Sequence, residues 1–259
     1  MLEAWLTHQA GVFSLEMLRI SGLLVAAPMA WSFMPMNARA GLVLLLALVV
    51  HQPTETLDVH GWGPASYLVM ATSELFVGFS IGVIARLILM VGEVAADAVA
   101  PMMGLGAAQM FDPTLGGQGT VLTRVLRYAG IWVFLAVGVH HLLIGALIQS
   151  FALLPIGGLA NPASLTEQMM HLSSVVLTAG VKLALPFLAV LFIAQVGLAF
   201  IARAAPAMQI FSVGFAVTLG IGFSLWVVFA PDVVLELAQL RSLAEQSLNL
   251  QLLTLRGGE

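Results

Sequence analysis

The sequence predicts an all-α, multi-helix integral membrane protein built of helical hairpins. Of its 259 residues 60% are hydrophobic and 8% charged, where soluble domains carry about 45–50% and about 25%. Two apolar runs, Leu183 to Ile201 and Met208 to Ala230, are each long enough to cross a bilayer. Between them stand Arg203 and Pro206, a charge and a helix breaker, which mark the turn of a hairpin. Apolar runs extend from Phe13 to Ala230 without a polar block long enough to fold separately, so one membrane domain with a short C-terminal tail is expected.

The elements follow in order. Phe13 to Phe33 is a first apolar segment, without the basic start of a cleavable signal, and it is expected to be retained. Its Glu16 and Arg19, three residues apart, lie on one helix face and are expected to neutralise each other. Arg39 precedes a short run from Gly41 to Val50, and His51 to Ser66, with Pro53, Glu55, Asp58, Gly61 and Pro64, reads as an exposed polar connection. Tyr67 to Met90 is a third run, and Val91 to Met110 a fourth, interrupted by Glu93, Asp97 and Pro101. Gly104 to Gly119, with five glycines and an Asp112-Pro113 step, has no sustained helical period.

Arg124 and Arg127 lead into Tyr128 to Leu154, which ends at Pro155 and the Gly157-Gly158 pair. Ser164 with Glu167 has the spacing of a capping box opening the next helix, which continues through Lys182 and Pro186 to Ile201. After the second arm, Asp232 to Arg256 is amphipathic, with Val233, Leu237, Leu240, Ala244 and Leu248 on one face, and predicts a tail helix lying on a surface or against a partner. Six to eight helices result, and nine scattered basic residues leave no loop asymmetry from which to orient them.

Composition narrows the function. A net charge of −4 without a basic run excludes nucleic acid as a partner. The chain has no cysteine, hence no disulfide or thiolate site, and no Asp, Glu or His cluster in register for a metal. Lys182 is its only lysine and follows no Gly-x-x-x-x-Gly pattern, so no nucleotide or other cofactor is expected.

Four features remain as candidates. Gly78-Phe-Ser80-Ile-Gly82 fits the nucleophile-elbow pattern, but inside an apolar helix it reads as a Gly-x-x-x-Gly packing face. The adjacent His140 and His141 should point about 100° apart, too far to chelate one metal, and one is expected to hydrogen-bond to a neighbouring helix. Glu74, Arg86, Glu93, Asp97, Lys182 and Arg203 line an ion path, pair across helices or lie outside the hydrocarbon altogether. Met102, Met103, Met110 and Phe111 flank glycine-rich backbone, either as gap fillers or as deformable side chains that close around objects of varying shape.

Leu18-Arg19-Ile20-Ser21-Gly22, Gly138-Val139-His140-His141 and Ala202-Arg203-Ala204-Ala205-Pro206 occur in this order, and on these and neighbouring motifs the chain resembles the FliR family of flagellar type III export proteins and, more distantly, its injectisome counterpart SctT. The resemblance covers nearly the whole length. It is carried by Leu18-Arg19-Ile20-Ser21-Gly22, Pro28, Pro35 and Arg39, then Glu74, Gly78 and Gly82. Gly104-Leu105-Gly106, Phe111-Asp112-Pro113, Gly138-Val139-His140-His141, Ser150-Phe151 and Leu154-Pro155 continue it. The most specific piece is Ala202-Arg203-Ala204-Ala205-Pro206 with Ile210-Phe211 and Gly214-Phe215, in which Gln209 replaces the usual Asn and Ala216 the usual Pro.

The resemblance implies a non-enzymatic export-gate subunit assembled with FliP and FliQ homologues, contacted by an FlhB homologue and passing exported flagellar proteins. It implies a FliP-like portion over 1–171, a FliQ-like hairpin over 172–231 and a tail over 232–259. It places the assembly in the bacterial inner membrane at the flagellar basal body, among lipid, with part of it on the periplasmic side. It further implies that 104–119 is a pore plug, with Met110, Phe111, Asp112 and Pro113 in the lumen and Gly104, Gly106, Gly116 and Gly117 as hinges. Arg203, Pro206, Gln209, Phe211, Gly214 and Phe215 would form the hairpin turn and subunit contacts. The competing reading is a secondary transporter or ion channel using Glu74, Arg86 and Lys182; an intramembrane hydrolase rests only on Ser80 and the two histidines.

Overall fold

The computed structural model describes residues 2–27, 31, 34–51, 63–105, 121–158, 162–204 and 210–256, and every element among them is helical. In chain order these are α1 (Leu2–Ala26), α2 (Met36–Val50), α3 (Pro64–Met102), α4 (Val121–Val137), α5 (Val139–Leu153), α6 (Pro162–Ala204) and α7 (Ile210–Arg256). Four stretches are long and apolar enough to cross a membrane, Gln9–Ala26, Pro64–Met102, Leu165–Ala204 and Val213–Leu253; α4 and α5 together would make a fifth, broken span.

Several elements differ from the expected ones: α1 covers Leu2–Ala26 rather than Phe13 to Phe33, and α6 begins at Pro162, so Ser164 lies inside it rather than opening it. The third and fourth apolar runs are a single helix, the 39-residue α3. Glu93 and Asp97 do not interrupt it, because both reach α4: Glu93 takes a two-pronged bond from Arg127, at 2.7 and 2.9 Å, and Asp97 accepts from Thr123 at 2.5 Å. Conversely, the run from Tyr128 to Leu154 breaks where Gly138 adopts φ +82°, and α4 and α5 meet at 69°. A positive φ suits a residue without Cβ, so the chain turns there despite its unbroken hydrophobicity. Finally, Asp232 to Arg256 is no separate tail: α7 runs through Pro231 without ending, and Val233, Leu237, Leu240, Ala244 and Leu248 are buried within the chain.

The chain forms two compact units. The first comprises 1–88, 135–172 and 241–259. Its α1 presents Val12 and Leu15, which join Ile156 in a cluster flanked by Tyr67, Met70 and Phe151. There α1 and α3 touch backbone to backbone: a Cβ on Gly22 would lie 2.5 Å from Leu75 O, and one on Gly82 2.8 Å from Leu23 O. A Cβ on Gly78 would overlap the Arg19 carbonyl. The Gly78–Gly82 pair is therefore a packing face, and Ser80 between them is buried, donating to Val77 O and accepting from Gln251.

The second unit comprises 89–134 and 173–240. In it α6 and α7 lie side by side, with Phe187 against Trp226 and Phe229 at ring-centroid distances of 5.3 and 5.5 Å. Their apolar surface is left largely uncovered. The most apolar stretches of α6 and α7 are 17% and 11% buried, against 56% and 61% for α1 and α3.

Candidate functional site

The first unit is organised around one fully buried arginine. Arg19 sits on the face of α1 that meets α3 and α5, and each of its three guanidinium nitrogens donates a hydrogen bond. Its Nε donates to Glu74 Oε2 at 2.6 Å, one terminal nitrogen donates to Ser150 Oγ at 3.2 Å, and the other to Leu154 O at 3.0 Å. The Phe151 ring lies 4.3 Å from the guanidinium carbon, completing a cation–π contact. Glu74 is equally enclosed, and its other oxygen accepts from the Gly157 amide at 3.0 Å. A buried ion pair is tolerated only when its remaining donors and acceptors are satisfied, and here α1, α3, α5 and the turn after α5 supply them.

Leu154 O is free to accept because α5 has ended there: the helix stops at Leu153, and the chain turns through Pro155 and Gly157, whose φ is +86°. The Gly157 amide is freed by the same turn. Leu154 and Gly157 thus serve as ligands of the ionic core, and the Leu154–Gly158 stretch is more than a plain helix stop.

A second polar pair adjoins the first. Glu16, also buried, bonds His51 Nδ1 at 2.9 Å, and His51 ends α2 with its ring edge-on to Phe13 at 5.5 Å. The expected Glu16–Arg19 neutralisation is therefore replaced by two separate pairs. Residues three apart share a face, but each side chain follows the partner that the packing of α2 or α3 supplies.

The other candidates fall as follows. Arg86 is exposed on α3 and makes no ion pair among the described residues. Lys182 is exposed beside Asp232 and Glu236, and with Pro186, Phe187 and Phe229 they line a groove of about 270 Å³. Arg203 is exposed in the last turn of α6. Phe211 lies in the first turn of α7, its side chain outside the described ones, while Pro206, Gln209, Gly106, Met110, Phe111, Asp112, Pro113, Gly116 and Gly117 all lie outside the described residues. Gly104 and Phe215 are brought into contact, whereas a Cβ on Gly214 would make only ordinary contact with Leu198.

His140 departs from expectation. Its Nδ1 is buried without a hydrogen-bond partner among the described residues, and its ring lies against that of His141, centroids 3.9 Å apart and planes tilted by 39°. The two rings thus meet rather than diverging by a helical step. No group of three His, Cys, Asp or Glu residues able to hold a metal occurs among the described residues.

Long apolar helices, ionisable groups tied into interhelical contacts and glycine-mediated backbone packing define an integral membrane protein in which the buried charges hold helices together. The chain belongs to the FliR family of bacterial export proteins: the sequence profile of "Bacterial export proteins, family 1" matches residues 10–242. It is 26% identical over 230 residues to the flagellar biosynthetic protein FliR of Escherichia coli K12, covering 88% of this chain and 87% of that protein. The Aquifex aeolicus FliR is 29% identical over 229 residues, 86% and 87% of the two chains. The Yop proteins translocation protein T of Yersinia pestis is 27% identical over 196 residues, 74% of each. The chain is thus a membrane component of the flagellar export apparatus, structural rather than enzymatic.

Proposed function

We propose that this chain completes a helical export channel with FliP and FliQ homologues, contacts an FlhB homologue, and closes the pore with residues 104–119 until flagellar cargo arrives. The observation that carries the reading is the uncovered apolar surface of α6 and α7, where Ile193, Phe200 and Val227 are 71%, 67% and 78% exposed. A bilayer covers part of such a surface, but on α6 exposed large apolar side chains recur from Met170 to Ile201, about 47 Å at 1.5 Å per residue. That exceeds the roughly 30 Å of hydrocarbon, so neighbouring subunits are the natural cover for the rest. The reading places the assembly in the inner membrane at the flagellar basal body, with part of it on the periplasmic side.

Native mass spectrometry of the chain, expressed with and without FliP and FliQ homologues, tests this. A stable hetero-oligomer is expected; a monomer or homodimer indifferent to those partners would return the transporter reading. Deleting Gln109 to Leu115 should leave the assembly intact and let ions leak across the membrane, and a tight membrane in that variant would remove the plug. Arg203→Ala is expected to reduce assembly and secretion together, since Arg203 lies in the last turn of α6, before the second arm begins. Normal assembly with secretion abolished would instead place the arginine in the conduction path.

A further inference from the structure

The end of α3 has carbonyls with no intrahelical partner. The chain resolves this in two ways. Gly104, at φ +80°, donates its amide to Pro101 O and the Leu105 amide donates to Ala100 O, both at 3.0 Å, which is the Schellman closure. The Met102 carbonyl is taken from outside the helix, and the Met103 carbonyl packs beside a hydroxyl. Gln195 of α6 reaches Met102 O with its side-chain amide at 2.9 Å. Thr218 of α7, whose main hydrogen bond is to Gly214 O at 3.0 Å, also lies 3.4 Å from Met103 O.

Apolar contacts reinforce the same point. Phe215, Thr218 and Gly222 are spaced three and four residues apart, on one face of α7. A Cβ on Gly104 would come within 2.7 Å of the Phe215 ring, and one on Gly222 would meet the thioether of Met103, which is fully buried. The end of α3 thus packs directly on α7, with Met103 closed in at Gly222 and the Phe215 ring against Gly104. Gln195 is a polar residue in an otherwise apolar arm, and its hydrogen bond to a helix end is what it does there.

We infer that Gln195, Phe215, Thr218 and Gly222 form a clamp that holds the C-terminus of α3 and its Gly104–Leu105 closure in place. They are positioning residues, acting through Met102, Met103 and Gly104. Because the two arms contribute different halves of the clamp, α6 and α7 must keep their spacing for it to hold. Its bearing on closure rests on the plug reading of the segment that follows; the clamp itself does not.

The test is hydrogen–deuterium exchange on the full-length chain, purified in detergent with the subunits that accompany it. In Gln195→Leu/Thr218→Val the amides of Gly104 and Leu105 are expected to exchange at least about tenfold faster, while those of α6 and α7 keep their rates. Thr218→Ser, which keeps the hydroxyl, is expected to match the parent. Should the double variant fail to accumulate, Gln195→Leu alone supplies the same readout. Unchanged exchange at Gly104 and Leu105, or a rise spread evenly over α6 and α7, would overturn the clamp. Ion leakage measured on the same variants and on the 109–115 deletion separates the two ideas. Faster exchange in the double variant with a tight membrane in the deletion supports the clamp and removes the plug; leakage after the deletion with unchanged exchange in the double variant does the reverse.

Discussion

Arg19→Met is expected to cost about 3–5 kcal/mol, the usual consequence of removing one partner from a buried pair. The substitution leaves the Glu74 carboxylate enclosed, with the Gly157 amide still donating to it, and strips Ser150 Oγ and Leu154 O of a donor. A domain's whole stability is about 5–15 kcal/mol, so the steady-state level in membranes and the melting midpoint in detergent should both fall sharply. Glu74→Met should fall comparably, because it strands the guanidinium. The double variant Arg19→Met/Glu74→Met is the informative one: with both charges gone, it is expected to be more stable than either single variant. A double variant as unstable as the two losses summed would mean that the contacts to Ser150, Leu154 and Gly157, rather than the charge pair, hold the unit. Arg19→Lys should be intermediate, since an ammonium keeps the charge but lacks the fork that reaches three acceptors at once.

Gly78→Ala carries the second large effect. Its Cβ would overlap the Arg19 carbonyl, a backbone atom that no rotamer change can move aside. Overpacking costs about 1–3 kcal/mol, and the upper end applies here, because α1 must move bodily and the Arg19 bonds move with it. Thermal denaturation beside Gly145→Ala makes the comparison sharp. Gly145 lies in α5, and nothing stands within 4 Å of the place its methyl group would take, so alanine there should be neutral or stabilise by about 0.5–1 kcal/mol. Equal behaviour of the two variants would mean that α1 and α3 do not meet at their backbones.

The helices themselves were legible because hydrophobicity and breakers act locally. Pro35, Pro155 and the glycines after it end or precede helices as their backbone chemistry requires, and the arms on either side of Arg203 fall largely inside α6 and α7. Legibility failed where a local signal was outweighed from a distance. Glu93 and Asp97 read as interruptions, yet Arg127 and Thr123 satisfy them and α3 continues. Gly138 was one small residue in a long apolar run, and nothing in that run distinguishes a packing glycine from one at φ +82°. Ala244 and Leu248 formed an amphipathic face, but an amphipathic face does not say whether it meets a partner or its own chain.

The candidate site was legible only as an inventory. Arg19 and Glu74 stood out as charges in apolar helices, and Gly78 and Gly82 as a small-residue pair. Neither observation joined the two charges, because they are separated by 55 residues. Gln195 and Thr218 gave no signal at all: a single amide and a single hydroxyl in apolar helices acquire meaning only when the end of α3 arrives beside them.

By itself, then, the sequence determined an all-helical membrane protein and its family, since these depend on composition and on motifs ordered along the chain. Only the tertiary structure decided which charges pair, with Arg19 going to Glu74 and Glu16 to His51. A buried charge must find whatever donor or acceptor the packing brings within about 3 Å, and that neighbour is set by how helices cross, not by where residues fall in the chain.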